Sequence, residues 1–196
     1  GIGHGFVKTQ PELATPDIQF LFAPASFDPT TRELDKLPGM TIGISQMRPE
    51  SQGSIHIGSP DPMAAPLIRP NFLSTIVDQQ TLAAGMHIAR QIGQAKALAP
   101  YRSHELKPGE NCKDDDALLS YARATGASIY HVMGTCKMGT DTDPMAVVDN
   151  QLKVWGLDGI RIVDASIMPT MPSGNINAPV MMIAEKAATM IIKNAK

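Results

Sequence analysis

Through the first half of the chain, short apolar runs alternate with turn-forming residues. The segments 5–8, 17–22, 40–47, 53–58 and 67–72 read as β-strands. Period-two alternation is clearest in Gly53-Ser54-Ile55-His56-Ile57, which sets Ile55 and Ile57 on one face and Ser54 and His56 on the other. This pattern predicts an antiparallel sheet with one face in water. The turns are rich in proline, as in Ser59-Pro60-Asp61-Pro62 and Arg69-Pro70-Asn71. Proline lacks the N–H that a ladder needs, so the strands should be short.

The period then changes. Over residues 75–97 apolar side chains recur at helical spacing (Leu82, Met86, Ile88, Ile92, Ala95), with Asp78 early and Lys96 late, as the helix dipole favours. A shorter helix should follow Asp114-Asp115-Asp116, bury Leu118, Leu119 and Tyr121, and end at Gly126. Further on come residues 152–155, the turn Leu157-Asp158-Gly159 and the apolar run 160–163, which resembles a buried strand. Residues 179–192 are apolar on nearly every side. Proline is tolerated only in a first helical turn, so Pro179 places the start of that helix at Asn177 or Ala178. So uniformly apolar a helix needs neighbours all round, and the second half offers too few, which points to cover from chain outside this sequence. The predicted fold is α+β, an antiparallel sheet covered on one side by helices up to about residue 125, followed by a last strand and helix.

Composition narrows the function classes. With 196 residues, 43% of them hydrophobic, the chain can sustain a core. A net charge of −2 provides no clustered cation for nucleic acid or an anionic membrane. No run approaches the roughly 18 apolar residues of a membrane span, and the opening GIGHGFVKTQ has no leader pattern. Two cysteines, Cys112 and Cys136, are too few for a disulfide framework, and no Asn-x-Ser/Thr acceptor occurs, so a reducing cytoplasm is expected. Twelve methionines against 5% aromatics point to a thioether-rich core that would include Met168, Met171, Met181 and Met182.

Two polar, glycine-bearing loops could carry chemistry. One is Tyr130-His131-Val132-Met133-Gly134-Thr135-Cys136-Lys137-Met138-Gly139; the other runs from Asp164 to Pro179. Taken singly, a histidine or an asparagine in a loop is more often a satisfied structural residue than a catalyst. A hydrolase using Ser166 or Ser173 with His131 and Asp164 lacks the G-x-S-x-G elbow. A metal site from His131, Cys136 and Cys112 would have three ligands and no C-x-x-C or H-x-x-x-H spacing, so no metal is expected.

The ordered series is more telling than any single residue. His131-x-x-Gly134-Thr135-x-x-Met138-Gly139, then Val147-Val148-Asp149, Arg161-Ile162-Val163-Asp164-Ala165-Ser166-Ile167-Met168-Pro169 and Asn175-Ile176-Asn177 resemble the C-terminal signature of the glucose-methanol-choline (GMC) oxidoreductases. The resemblance reaches back through Ile68-Arg69-Pro70-Asn71-Phe72, Gly53-Ser54-Ile55 and Pro24-Ala25-Ser26, so it covers nearly the whole chain, and it looks closest to the choline dehydrogenase-like branch. Val132 departs from the pattern, where relatives usually have proline.

The resemblance implies a flavin enzyme that oxidises a primary alcohol, choline-like or other, by hydride transfer to FAD while His131 takes the hydroxyl proton. Asn175 matches the second polar position and would donate a hydrogen bond to the developing alkoxide. Asp164 and Ala165 match the approach to the ribityl and pyrophosphate part of FAD. Asn175, Ile176 and Asn177, with the helix start, match contacts at the flavin. Ordinary turn and cap roles for Asp164 and Asn177 are compatible with this. Residues 1–125 would be the substrate-binding domain, and 126–196 the catalytic loop and the last piece of the FAD-binding domain.

The dinucleotide fingerprint is not found here. Gly1-Ile2-Gly3-His4-Gly5 is followed by a strand-like segment rather than a helix. The chain therefore reads as a fragment whose partner is the N-terminal FAD-binding portion, and it is expected to hold no FAD and show no activity alone. The alternative is a stand-alone ligand-binding or interaction domain derived from this family, without redox chemistry.

Overall fold

The computed structural model describes residues 3–28, 31 and 33–194. It divides into two units, Gly1–Gln52 with Asn71–Ala127, and Gly53–Pro70 with Ser128–Lys196. The units are therefore discontinuous in sequence, whereas the sequence pattern placed one boundary near residue 125. Antiparallel sheets and helices occupy separate segments, so the fold is α+β.

In the first unit β1 (Gly3–Val7), β2 (Ile18–Ala23) and β3 (Thr41–Gln46) form an antiparallel sheet in the order β1-β2-β3. Gly3, His4 and Gly5 pair with Phe22, Leu21 and Phe20, so they lie in a strand and not in a phosphate-binding turn. Gly1 and Ile2 lie outside the described residues. Ile18, Phe20 and Ala89 form the buried centre, with Val7, Ile42, Ile44 and Ile88 against it. Gly85 of α1 (Ile76–Gly93) permits this contact, because a Cβ there would stand 3.0 Å from Ile18 Cδ1 and 3.1 Å from Ile44 Cγ2.

Helix α1 stops at Gly93, short of the expected residue 97. Arg90 and Ile92 carbonyls accept from Gln94 and Ala95, tightening the last turn, and a 3₁₀ helix over Lys96–Tyr101 follows. Thr75 caps the start through its hydroxyl, which accepts the Asp78 N–H at 3.2 Å. Asp78 does more than face the helix dipole. It is 1% exposed, and its carboxylate accepts from Gln46 Nε2 at 2.9 Å, the Glu50 N–H at 2.9 Å, the Ser51 N–H at 2.8 Å and the Ser51 hydroxyl. Burial pushes its carboxyl up, but these four donors outweigh burial and hold it below the ordinary carboxylate range. Helix α2 (Asp115–Thr125) runs between the Asp114 cap and Gly126 and buries Leu118 and Leu119, as its pattern predicts, while Tyr121, expected beside them, is only half-buried.

In the second unit β4 (Ser54–His56) and β5 (Leu67–Arg69) make a two-stranded ribbon. Their alternation does not produce the buried face expected of it. Ile55 is 44% exposed and its cross-strand partner Ile68 64%, because two strands alone cover neither face. The remainder is loop-rich, organised around Val148, Leu152, Ile167 and Ala187. The strand expected over 160–163 is an extended segment pairing only at Lys153↔Arg161, since a strand needs a ladder and its neighbour is the short 152–154 stretch.

Helix α3 (Asn177–Asn194) begins where Pro179 requires. It buries Ala187, half-buries Val180, Ile183 and Met190 along the same stripe, and leaves Ile191 and Ile192 exposed. Of the methionines assigned to the core, Met168 is buried and Met171 half-buried, but Met181 and Met182 lie on the exposed side of this helix. No helix among the described residues is long and apolar enough to cross a membrane.

Candidate active site

Both chemistry-bearing loops lie in the second unit, where main-chain bonds join them. The N–H groups of Gly134, Cys136 and Met138 donate to the carbonyls of Ala165, Ser166 and Ile167 at 3.4, 2.9 and 2.8 Å. Gly134 is required here. Its φ is +85°, and a Cβ would stand 3.3 Å from the Met168 carbonyl oxygen. Further along, Lys137 Nζ lies 2.7 Å from Asp143 Oδ2. That ammonium, with the Met145 N–H, holds the Asp143 carboxyl below its ordinary range.

This docking brings His131 to Asn175. Nε2 of the half-buried imidazole lies 2.6 Å from Nδ2 of the exposed amide. With the amide N–H donating, Nε2 is the acceptor and the neutral ring carries its proton on Nδ1. On the N-terminal side, Tyr130 takes the left-handed conformation, φ +64°, and its N–H donates to Ser128 Oγ at 2.9 Å.

The other expected site residues line the second loop. Asp164 is exposed and caps a 3₁₀ turn over Ala165–Ile167, accepting the Ser166 N–H at 2.7 Å. Its carboxylate is thus engaged by Ser166, and the imidazole of His131 meets an amide, an arrangement unlike a Ser-His-Asp relay. Ile176 is 8% exposed, so its side chain belongs to the core and only its main chain could meet a ligand. Asn177 and Ala178 are exposed at the start of α3, whose first N–H groups have no acceptor within the helix. Among the described residues no group of three His, Cys, Asp or Glu could hold a metal ion, and both cysteines are free thiols. Tyr130 opens the loop that the sequence singled out, but its left-handed conformation leaves no local signal there.

A family model described as GMC oxidoreductase matches residues 49–184, a span that contains both loops. The chain belongs to the GMC oxidoreductases. Among similar GMC proteins, mitochondrial choline dehydrogenase of Homo sapiens is 43% identical over 95% of this chain and 32% of its own length. Alcohol dehydrogenase [acceptor] of Pseudomonas putida is 43% identical over 96% of this chain and 34% of its own. In three dimensions the chain is similar to pyridoxine 4-oxidase from Mesorbium loti, with a TM-score of 0.86 at 28% identity, covering 95% of this chain and 36% of that one. The chain thus spans about a third of the length of the curated relatives it matches.

Proposed function

We propose that this chain is the C-terminal part of an FAD-dependent oxidoreductase that oxidises a primary alcohol, with His131 as base and Asn175 as hydrogen-bond donor to the oxygen. The observation that carries the reading is the 2.6 Å approach of His131 Nε2 to Asn175 Nδ2. An alcohol hydroxyl that displaces the amide N–H from Nε2 would lose its proton to that nitrogen, while the displaced amide N–H donates to the oxygen as it becomes an alkoxide. Neutral imidazole is the form with a free lone pair to take the proton.

The residues around the pair suit a flavin nucleotide. Nothing lies within 4 Å of the Cβ position of Gly174, whose φ is +150°, so a planar ring can approach the main chain beside Asn175. The first-turn N–H groups of α3 suit an electron-rich edge, and the exposed Asp164 with the half-buried Ala165 offers a turn for the ribityl and phosphate portion. Bound there, FAD supplies the hydride acceptor. Residues 1–125 then serve the substrate domain, residues 126–196 carry the catalytic loop and close the FAD domain, and the remaining cofactor contacts come from a longer chain. The names of the relatives favour choline or another small alcohol as substrate.

The test is an anaerobic titration of the intact parent protein with choline and simple primary alcohols, read as bleaching of the flavin absorbance. Bleaching by one alcohol, greatly slowed in His131→Ala, supports the reading. A parent that carries no flavin, or bleaching at the wild-type rate in His131→Ala, refutes it and favours a binding domain without redox chemistry.

A further inference from the structure

We propose that the β4–β5 ribbon, with the loop that joins its strands, is the surface on which the N-terminal portion of the parent polypeptide docks. This rests on the reading of the chain as the C-terminal part of a longer protein and is independent of the roles given to His131 and Asn175. From 52 to 72 every residue is exposed except Ser59, which is half-buried. Ile57 is 90% exposed and Met63 88%, and the strands add the exposed cross-strand pair Ile55 and Ile68. A two-stranded ribbon with no buried side chain is at best marginally stable in water, so this one needs a cover.

The loop is nevertheless built to one shape. Pro60, Pro62 and Pro66 fix φ along it. The Asp61 N–H donates to Ser59 Oγ at 3.1 Å, the Met63 N–H to Asp61 Oδ1 at 2.9 Å and the Ala64 N–H to the Asp61 carbonyl at 3.1 Å. At its root Gly58 lies against Leu67, where a Cβ would stand 3.1 Å from Leu67 Cγ. These bonds engage Ser59 and Asp61 with the loop itself and leave Ile57, Pro60, Pro62, Ala64 and Pro66 as the apolar wall of a cavity of about 440 Å³. A preformed apolar hollow beside the exposed Met63 lowers the ordering cost of docking and suits an apolar anchor side chain. Two observations select the occupant. The chain spans about a third of the length of its curated relatives, so in those proteins this segment belongs to a much longer polypeptide. Residues 54–68 carry one formal charge, Asp61, and no Lys or Arg that would hold an anionic membrane.

The experiment is peroxide footprinting of the intact parent protein, read by mass spectrometry of its methionines. Peroxide converts an accessible thioether to the sulfoxide, so Met63 should oxidise on the order of 10-fold more slowly in the folded parent than in the same protein unfolded in guanidinium. Ile57→Asp in the parent should lower Tm on the order of 5 °C, because it sets a carboxylate in a covered apolar contact. If Met63 of the folded parent oxidises close to its unfolded rate, or if Ile57→Asp leaves Tm unchanged, the inference is overturned. It is equally overturned if protection is lost when the parent is diluted to a monomer, which assigns the cover to a second copy, or if protection arises only on phosphatidylglycerol vesicles, which assigns it to a membrane. Neither readout needs flavin or substrate. A parent that oxidises no alcohol therefore refutes the proposed function, while Met63 and Ile57 still decide what covers the ribbon.

Discussion

His131 and Asn175, 44 positions apart in the chain, meet at 2.6 Å between Nε2 and Nδ2. Neither lies in a regular element. The contact exists because Gly134, Cys136 and Met138 donate to Ala165, Ser166 and Ile167, which docks one loop on the other, and because α3 begins two residues after Asn175. An imidazole facing an amide differs from one facing a carboxylate, since the amide donates without favouring the imidazolium form.

Replacing that amide by a carboxylate should be informative. In Asn175→Asp of the intact protein, the negative charge beside Nε2 favours the imidazolium, so the base is deprotonated only at higher pH. The pH profile of flavin reduction should shift upward, and Asn175→Ala should lower the rate on the order of 100-fold without such a shift. Stopped-flow measurements across pH distinguish the two, and an unshifted profile in Asn175→Asp would count against Nε2 as the base.

Gly134 and Gly156 both have positive φ, +85° and +75°, but a Cβ meets the Met168 carbonyl oxygen at 3.3 Å in the first and open space in the second. Alanine at either position should cost about 1–2 kcal/mol for the backbone alone. Only Gly134→Ala should also slow flavin reduction, because it pushes the His131 loop away from the 165–168 segment whose carbonyls it donates to. Thermal melts paired with rates check this.

Asp78→Asn should destabilise the protein by about 2–4 kcal/mol, because an amide NH₂ then confronts donors that are buried and already committed to a carboxylate. The folded pKa of Asp78 is depressed, so the unfolded chain binds the extra proton. Its contribution is present in full above the unfolded value near 3.9 and is lost as pH falls from there through the lower folded value. Wild type should therefore lose part of its advantage over Asp78→Asn as acid unfolding is approached below about pH 4. A constant difference between the two from pH 7 to pH 3 would contradict this.

Arg90 holds Glu105 at two points, Nη2 to Oε1 at 2.7 Å and Nε to Oε2 at 2.9 Å, and also donates to the Gly109 carbonyl at 3.2 Å. Lysine cannot reproduce this fork, so Arg90→Lys should lower stability by about 1 kcal/mol and make the segment from 105 to 112 exchange amide hydrogens faster. Hydrogen exchange at Gly109, whose N–H donates to Glu105 Oε1, is the direct measurement.

Local chemistry was legible in the linear order of residues. Asp114 and Gly126 bracket α2, Pro179 sets the start of α3, and the apolar spacing after Thr75 yields α1, because caps, proline geometry and a helical face are decided within a few neighbours. The motif order also picked out His131 and Asn175 together. Only the tertiary structure decided what touches what. The apolar run at 160–163 lacks the ladder that would make it a strand, and Ile55 and Ile68 alternate correctly yet cover nothing. Asp78, placed by its position in the sequence as a dipole partner, does lie in the first turn of α1 but is also buried against the 46–51 segment. Burial, strand pairing and a side-chain meeting across 44 residues depend on where distant chain returns, which no local window of sequence contains.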